Sequence, residues 1–380
     1  MSVNLSAKLQ KFLEDHKEYH LAITKELAQI PAPSHKEHKR VEWVKKFIED
    51  LGGRCYVDEA LNVVLPLNCD GCNEITVFMA HTDVVFPDET PLPLTEDGDI
   101  IRCPGICDDT ANLTGLLMIT KYILENDLKP KNGLLIVANS CEEGLGNLKG
   151  SMQIMKDYRG RVKELISFDG GFGSVINDAV GSHRYNVEIK TEGGHSYGAF
   201  GNRNAIAVLS SMINTLYTMK VPPMGKTTYN VGTIQGGTSV NTIAQDAQML
   251  YEYRSDNLES LAVMEKFFNS VCDSYRNMGI ELNVTVLGKR PCKGNVDEDR
   301  LGALTQRAVE IGEKITGRKY YTGAASTDCN SPLSVGVPAV CLGLCDGQGA
   351  HTREEYLVAS SLPAGAKIAG AFIGDYFDKF

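Results

Sequence analysis

No stretch of this 380-residue sequence approaches the roughly 20 uninterrupted apolar residues that a spanning helix needs, which argues against a membrane protein. Nor is there a block of like charge. The 48 acidic and 38 basic side chains are mixed along the chain and leave a net charge of −10. That balance argues against nucleic acid or an anionic membrane surface as the main partner. The opening segment, MSVNLSAKLQKFLEDHKEYH, is amphipathic and charged from the start and lacks the apolar centre of a secretion signal, so a soluble protein in the cytoplasm is expected. Internal repeats and low-complexity segments are absent too. Cysteine is not scarce, but 11 copies are an odd set. Cys69-Asp-Gly-Cys72 has no second such pair to complete a thiolate zinc site, so reduced, mostly buried thiols are expected.

What is present is an ordinary globular composition, 43% hydrophobic and 23% charged, in a chain long enough for about two domains. Residues 5–28 carry apolar positions at helical spacing and end at the Pro31-Ala-Pro33 turn. Ser34 is placed to cap a second helix that runs to about Asp50 and stops at Gly52-Gly53. Short β-rich runs follow at 74–80, 133–138, 164–168 and 338–344, alternating with helical stretches such as 111–124. Strands apolar on both faces predict an α/β domain with a mostly parallel central sheet. Between 181 and 290 the texture becomes strand, helix, strands, helix, strand, the plan of an α+β split-βαβ layer with one open face. The sequence therefore predicts a discontinuous first domain (1–180 and 291–380) interrupted by an inserted second one (181–290), with Pro291-Cys-Lys-Gly294 as the nearest thing to a linker.

The informative feature is where the metal-binding side-chain types fall. The run 74–80 ends in His81-Thr-Asp83, and 133–138 leads into Glu142-Glu143. The run 164–168 ends at Asp169, and 338–344 leads through Gly347-Gln-Gly349 to His351. Asp108-Asp109 precede the helical run at Ala111. Ligand sites in open α/β sheets lie beyond the carboxyl ends of the strands. Singly, each group has a dull explanation: a satisfied polar pair, a helix cap, a solvated glutamate pair, a turn. Jointly, two histidines and three carboxylates at one sheet edge suit a two-metal centre with nitrogen and oxygen ligands, for which zinc is apt and cobalt or manganese are substitutes. One of Glu142 and Glu143 then binds metal while the other faces the attacking water. Cys107 and Cys141 beside these positions are expected to be packing residues. His16, His20, His35 and His38 are expected to be solvated, and His183 receives no role.

The ordered motifs resemble, along the whole chain, the di-zinc aminoacyl hydrolase family that includes peptidase T, carboxypeptidase G, carnosine dipeptidases and acetylornithine deacetylase. They are His81-Thr-Asp83, Gly105-Ile-Cys-Asp108-Asp109, Cys141-Glu142-Glu143-Gly144, Ser167-Phe-Asp169-Gly170 and Gly349-Ala-His351-Thr352. The inserted domain matches through Gly193-Gly-His195-Ser-Tyr-Gly198 and Gly236-Gly-Thr-Ser-Val-Asn241-Thr-Ile243, with Arg254 ending the strand that follows.

The resemblance implies two zinc ions per chain. Asp108 would bridge them, Glu143 and His351 would bind one, and His81 and Asp169 the other. It makes Glu142 the general base and later the acid, and Asp83 the partner that fixes the His81 tautomer. It also implies a cis Asp108–Asp109 peptide. His195 and Asn241 become stabilisers of the tetrahedral oxyanion, and Arg254 a clamp for a substrate carboxylate. Two positions depart from the family pattern: Thr110 stands where relatives carry Lys, and Ile243 is followed by Ala244 rather than Pro. The implied activity is hydrolysis of an amide bond. Aspartate at position 169 favours an amino-, di- or tripeptidase like peptidase T. The alternatives are an N-acyl-amino-acid deacylase and an inactive member kept as a binding or regulatory protein. Relatives commonly pair through the inserted domain, which implies a homodimer whose His195 reaches the partner's zinc pair.

Overall fold

A computed structural model describes residues 5–380, and the first four residues of the amphipathic N-terminal segment lie outside the described residues. The chain divides into two compact units, Met1–Ala179 with Gly294–Phe380 and Val180–Lys293.

The first unit is built on an eight-stranded mixed sheet. Its order is Tyr56–Val57, Val63–Leu67, Gly133–Asn139, Ile75–His81, Val162–Phe168, Ala339–Leu342, Ser174–Ala179 and Tyr321–Ala325. The four central strands run parallel, so Asn139, His81, Phe168 and Leu342 finish at the same edge. Every residue of Ile75–His81 and Gly133–Asn139 is buried, the reason both read as largely apolar runs before their polar ends. Helices Asn112–Glu125 and Leu362–Gly374 are buried along most of their length. Phe78 sits at the centre of the core, stacked on Phe168 with ring centroids 6.0 Å apart and meeting Phe372 and Tyr376 edge-on. A small four-stranded antiparallel sheet joins Gly347–Gln348, Tyr356–Val358, Ile100–Arg102 and Thr95–Asp97.

Three local expectations are corrected. The helical run 5–28 is two helices, Ala7–Asp15 and Lys17–Gln29, because His16 leaves helical geometry and turns its ring Nδ1 onto the Phe12 carbonyl at 2.8 Å. His20 is buried rather than solvated, and burial pushes its ring down to about 4. Ser34 does not cap the next helix, which begins only at His38; its hydroxyl instead donates to Asp83, 49 residues on, at 2.6 Å.

The second unit is an antiparallel sheet in the order Thr227–Gly236, Asp246–Ser255, Gly181–Lys190, Glu281–Arg290. Inward positions alternate along Gly181–Lys190, and Val187, Ile189, Met249 and Tyr251 share a core with Leu209 of helix Ala205–Leu216 and Phe268 of helix Leu258–Asn277. Asn204 and Asn257 cap those helices through their side chains. His183 is a satisfied core histidine, 2.8 Å from the Tyr253 hydroxyl. All 11 cysteines are free, and all but Cys55 and Cys72 are buried. Among the described residues no helix is long and apolar enough to cross a membrane.

The position of Phe78 has a measurable consequence. Phe78→Ala empties the middle of a ring cluster between sheet and helix, and urea unfolding should show a loss of about 3–5 kcal/mol.

Candidate metal centre

The edge formed by the central strands carries the side chains picked out above. His81 is the last residue of its strand, and Asp169 directly follows another, its amide donating to the Leu342 carbonyl at 3.2 Å. Asp108 lies at the middle of the gathering. His81 Nε2 is 3.1 Å from its Oδ1 and His351 Nε2 is 3.0 Å from its Oδ2. His351 Nε2 is also 3.3 Å from Glu143 Oε2. Two donor groups result, His81–Asp108–Asp169 and Asp108–Glu143–His351, each with its ligand atoms within 4.8 Å of one another. Asp108 belongs to both.

The electrostatics fit cations. Burial, and then the charge of Asp108, raises Asp169 to about 7. His351, flanked by Asp108 and Glu143, is raised to about 11. Burial alone would depress His81, yet Asp109, Asp108 and Asp83 together hold it well above its ordinary value. Glu143 Oε1 is buried without a hydrogen-bond partner. Carboxylates converging at this partly buried edge repel one another, and imidazole nitrogens with carboxylate oxygens are the donor set of zinc, cobalt or manganese. The residues present therefore fit a metal pair. Neither donor group includes a cysteine. Cys107 Sγ donates to the Tyr356 carbonyl and Cys141 Sγ lies 3.2 Å from Glu37 Oε1.

The loops are held by polar side chains that the sequence did not single out. Glu355 is fully buried and accepts from the amides of Gly105, Cys107 and Asp108 at 2.8–3.0 Å, tying the Asp108 turn to the His351 loop. Asn112 donates to Asp109 Oδ1 and to the carbonyls of Cys107 and Gly170, and accepts from the Leu344 amide. Asp109 in turn accepts from the His81 amide at 2.8 Å. The Asp108–Asp109 peptide is cis. Arg40, fully buried, donates to the Thr82 carbonyl and the Thr110 hydroxyl, so Thr110 is a hydrogen-bond partner of a guanidinium.

Asp83 does more than face the His81 ring. The ring Nδ1 is 3.0 Å from the Asp83 carbonyl and 3.4 Å from its carboxylate, which leaves Nε2 turned towards Asp108. The Asp83 carboxylate also accepts from the amides of Glu142 (2.9 Å) and Glu143 (3.0 Å), fixing the backbone of that buried pair.

His195, Asn241 and Arg254 belong to the second unit. His195 is exposed, and its Nδ1 accepts from the amides of Tyr197 and Gly198 at 3.2 Å, so the ring proton resides on Nε2 as a donor. A short ladder pairs His195 with Thr242, and the Asn241 carbonyl accepts from the Ser196 amide. Ser239 donates to Asn241 Oδ1, which orients the side-chain amide. The Arg254 fork is engaged by Glu252 through Nε and Nη2, both at 3.1 Å. Tyr197 and Phe200 are 90% exposed and Val240 fully so, a concentration of bare apolar surface on these two loops.

The sequence profile described as peptidase family M20/M25/M40 matches residues 77–375. The chain is similar to the aminopeptidase PepT of Bacillus cereus, with 22% identity and a TM-score of 0.71 over 95% of this chain and 98% of that one. It is also similar in fold to a dinuclear metal-binding peptidase of Bacillus subtilis, with 15% identity and a TM-score of 0.64 over 96% of this chain and 100% of the other. Among curated sequences, N-acetyldiaminopimelate deacetylase of Listeria monocytogenes is 24% identical over 263 residues, 64% of this chain and 68% of that protein.

The displaced protons make metal binding pH-dependent. Without metal, folded Asp169 keeps its proton up to about pH 7, whereas the unfolded carboxyl releases it near 3.8, so metal-free stability falls as pH rises through that window. His351 adds stability that is complete below about 6.5 and is lost as pH climbs towards about 11. A metal ion held by these groups would displace both protons. Zinc affinity should therefore rise about tenfold per pH unit for each proton released between about pH 6 and pH 8, measured by titration in weak buffer with a pH indicator. Equal affinity and no proton release would contradict this.

Proposed function

The chain belongs to peptidase family M20/M25/M40, and from that premise we propose that this hydrolase is a metal-dependent peptidase cleaving the amide bond of small peptides. The carrying observation is one carboxylate, Asp108, shared by two donor groups next to the buried Glu142–Glu143 pair. His81, Asp108 and Asp169 would hold one zinc ion and Asp108, Glu143 and His351 a second, with cobalt or manganese as substitutes. Bound there, the ions supply Lewis-acid polarisation of the carbonyl and a more acidic water.

The chain's own groups do the rest. Glu142 takes the proton of the attacking water and delivers it to the leaving amine. Asp83 holds the backbone of Glu142 and the ring of His81 in register. Nε2–H of His195 and the side-chain amide of Asn241 are the donors offered to the developing oxyanion, and Arg254, released from Glu252, to a substrate carboxylate. A homodimer formed through the second unit, with His195 serving the partner's site, completes the reading. Its support is the resemblance of the Gly193–Gly198 loop to the family pattern.

A second reading, N-acyl-amino-acid deacylation, is favoured by the Listeria monocytogenes relative. Mass spectrometry on parallel pools of dipeptides, tripeptides and N-acyl amino acids separates the two. Release of amines from the peptide pools, abolished by chelator, is expected; turnover of the N-acyl pool alone would transfer the chain to the deacylases.

Glu142→Gln should keep two metal ions per chain while kcat falls by several orders of magnitude, because only proton transfer is removed. Glu143→Gln should instead lower the metal content towards one. The reverse pattern would exchange the two roles.

For the dimer, Glu142→Ala and His195→Ala proteins, each inactive, are refolded together. Activity should reappear in the heterodimer, whereas confirmed heterodimers without activity would assign His195 to its own chain or to no role.

A further inference from the structure

The sequence Ser34-His-Lys-Glu37 has the spacing of a helix-capping box, yet neither side chain caps the helix that follows. Both turn the other way. Besides Asp83, the Ser34 hydroxyl lies 3.4 Å from the Glu143 carbonyl. Glu37 Oε1 accepts from the Cys141 amide and the His35 amide, each at 3.0 Å. The His35 ring is 3.3 Å from the Leu145 carbonyl. One helical turn further, Arg40 reaches the Thr82 carbonyl and the Thr110 hydroxyl, both at 3.1 Å. Ala32 pairs with Val84 at the other end of the segment. One short stretch therefore grips the His81–Asp83 turn, the Asp109–Thr110 turn and the loop that carries Glu142.

Two features argue that this grip has a purpose beyond stability. Glu37 and Arg40 are wholly buried, and Glu37 Oε2 has no hydrogen-bond partner, a costly use of a carboxylate where an apolar side chain would pack. The amide it holds belongs to Cys141, whose φ of 57° is the left-handed geometry that turns the chain into Glu142-Glu143. Without the Glu37 oxygen that amide becomes a buried donor without an acceptor, and the turn is free to relax. A displacement of about 1 Å in a reacting group is enough to cost a hundredfold in rate.

We propose that Ser34, Glu37 and Arg40 are positioning residues, a brace that aims Glu142 by fixing the Cys141 turn and the Asp83 carboxylate from behind. The proposal rests on the reading of Glu142 as the proton-transfer group, and the experiment separates the two. In Glu37→Ala, measured without metal, amide hydrogen exchange in residues 140–145 should quicken at least tenfold. With metal loaded, and with a peptide that the tripeptide pool shows to be cleaved, kcat should fall about ten- to a hundredfold while KM changes less than threefold. Glu37→Gln, which keeps an oxygen for the Cys141 amide, should restore most of both. In a Glu142→Gln background Glu37→Ala should cost nothing further, because it acts through the group already removed.

Unchanged exchange, a purely KM effect, or full additivity with Glu142→Gln would each overturn the brace. Should Glu37→Ala fail to fold, Ser34→Ala removes one half-buried hydroxyl and must quicken exchange at Glu143 if the brace exists. If Glu142→Gln retains wild-type kcat, the proton-transfer reading falls, and the exchange rates still decide whether the segment braces the loop.

Discussion

Like charges drawn together in a partly buried place dominate this molecule. Asp108 stands between His81 and His351, with Asp169 and Glu143 close by. Burial and mutual repulsion hold Asp169 well above its ordinary range, while contact with two imidazoles holds Asp108 well below. Such an arrangement is unfavourable until cations enter it, and much of the surrounding architecture consists of ways to keep the carboxylates from moving apart. The rigid parallel strands are the first of these, since a ligand at a strand end inherits the position of a buried backbone.

Fixed hydrogen bonds are the second. Asn112 satisfies groups from the Asp108 turn, the Asp169 turn and the segment leading to His351, so three stretches far apart in sequence share one side chain. Glu355 collects three amides of the Asp108 turn. Asp83 collects the amides of Glu142 and Glu143, with burial opposed by its bonds to His81 and Ser34, so that its carboxyl stays below the usual range. Each is a buried charge or amide with its bonding capacity spent on backbone, the form in which buried polarity is rigid rather than merely tolerated.

These differences in chemistry explain what could be read in advance. Strands such as Ile75–His81 were legible because burial on both faces demands largely apolar runs, and the histidine or carboxylate beyond each run then stands out. The break at His16 was not, since the apolar period continues through it on both sides. Arg40 sits in a run of basic residues that looks like the solvated face of a helix, and only the fold shows that its guanidinium is inside. Ser34 and Glu37 carried a genuine local signature with the wrong owner: tertiary partners outbid the helix end for the same oxygens. Glu355 and Asn112 have no signature, because most of what they bind is main chain.

The spread of the donor groups along the chain also imposes an order in time. His81, Asp108 and Asp169 all lie in the first half of the sequence, and the strands that lead to His81 and Asp169 pair with one another. His351 and its anchor Glu355 arrive only after the whole of Val180–Lys293 has been made. During synthesis from the N-terminus, one half of the centre is available to nucleate while the other does not yet exist, and contacts of such long sequence separation form late. A nascent chain thus carries the first donor group well before the second is complete, and the segment with His351 is the one that completes it.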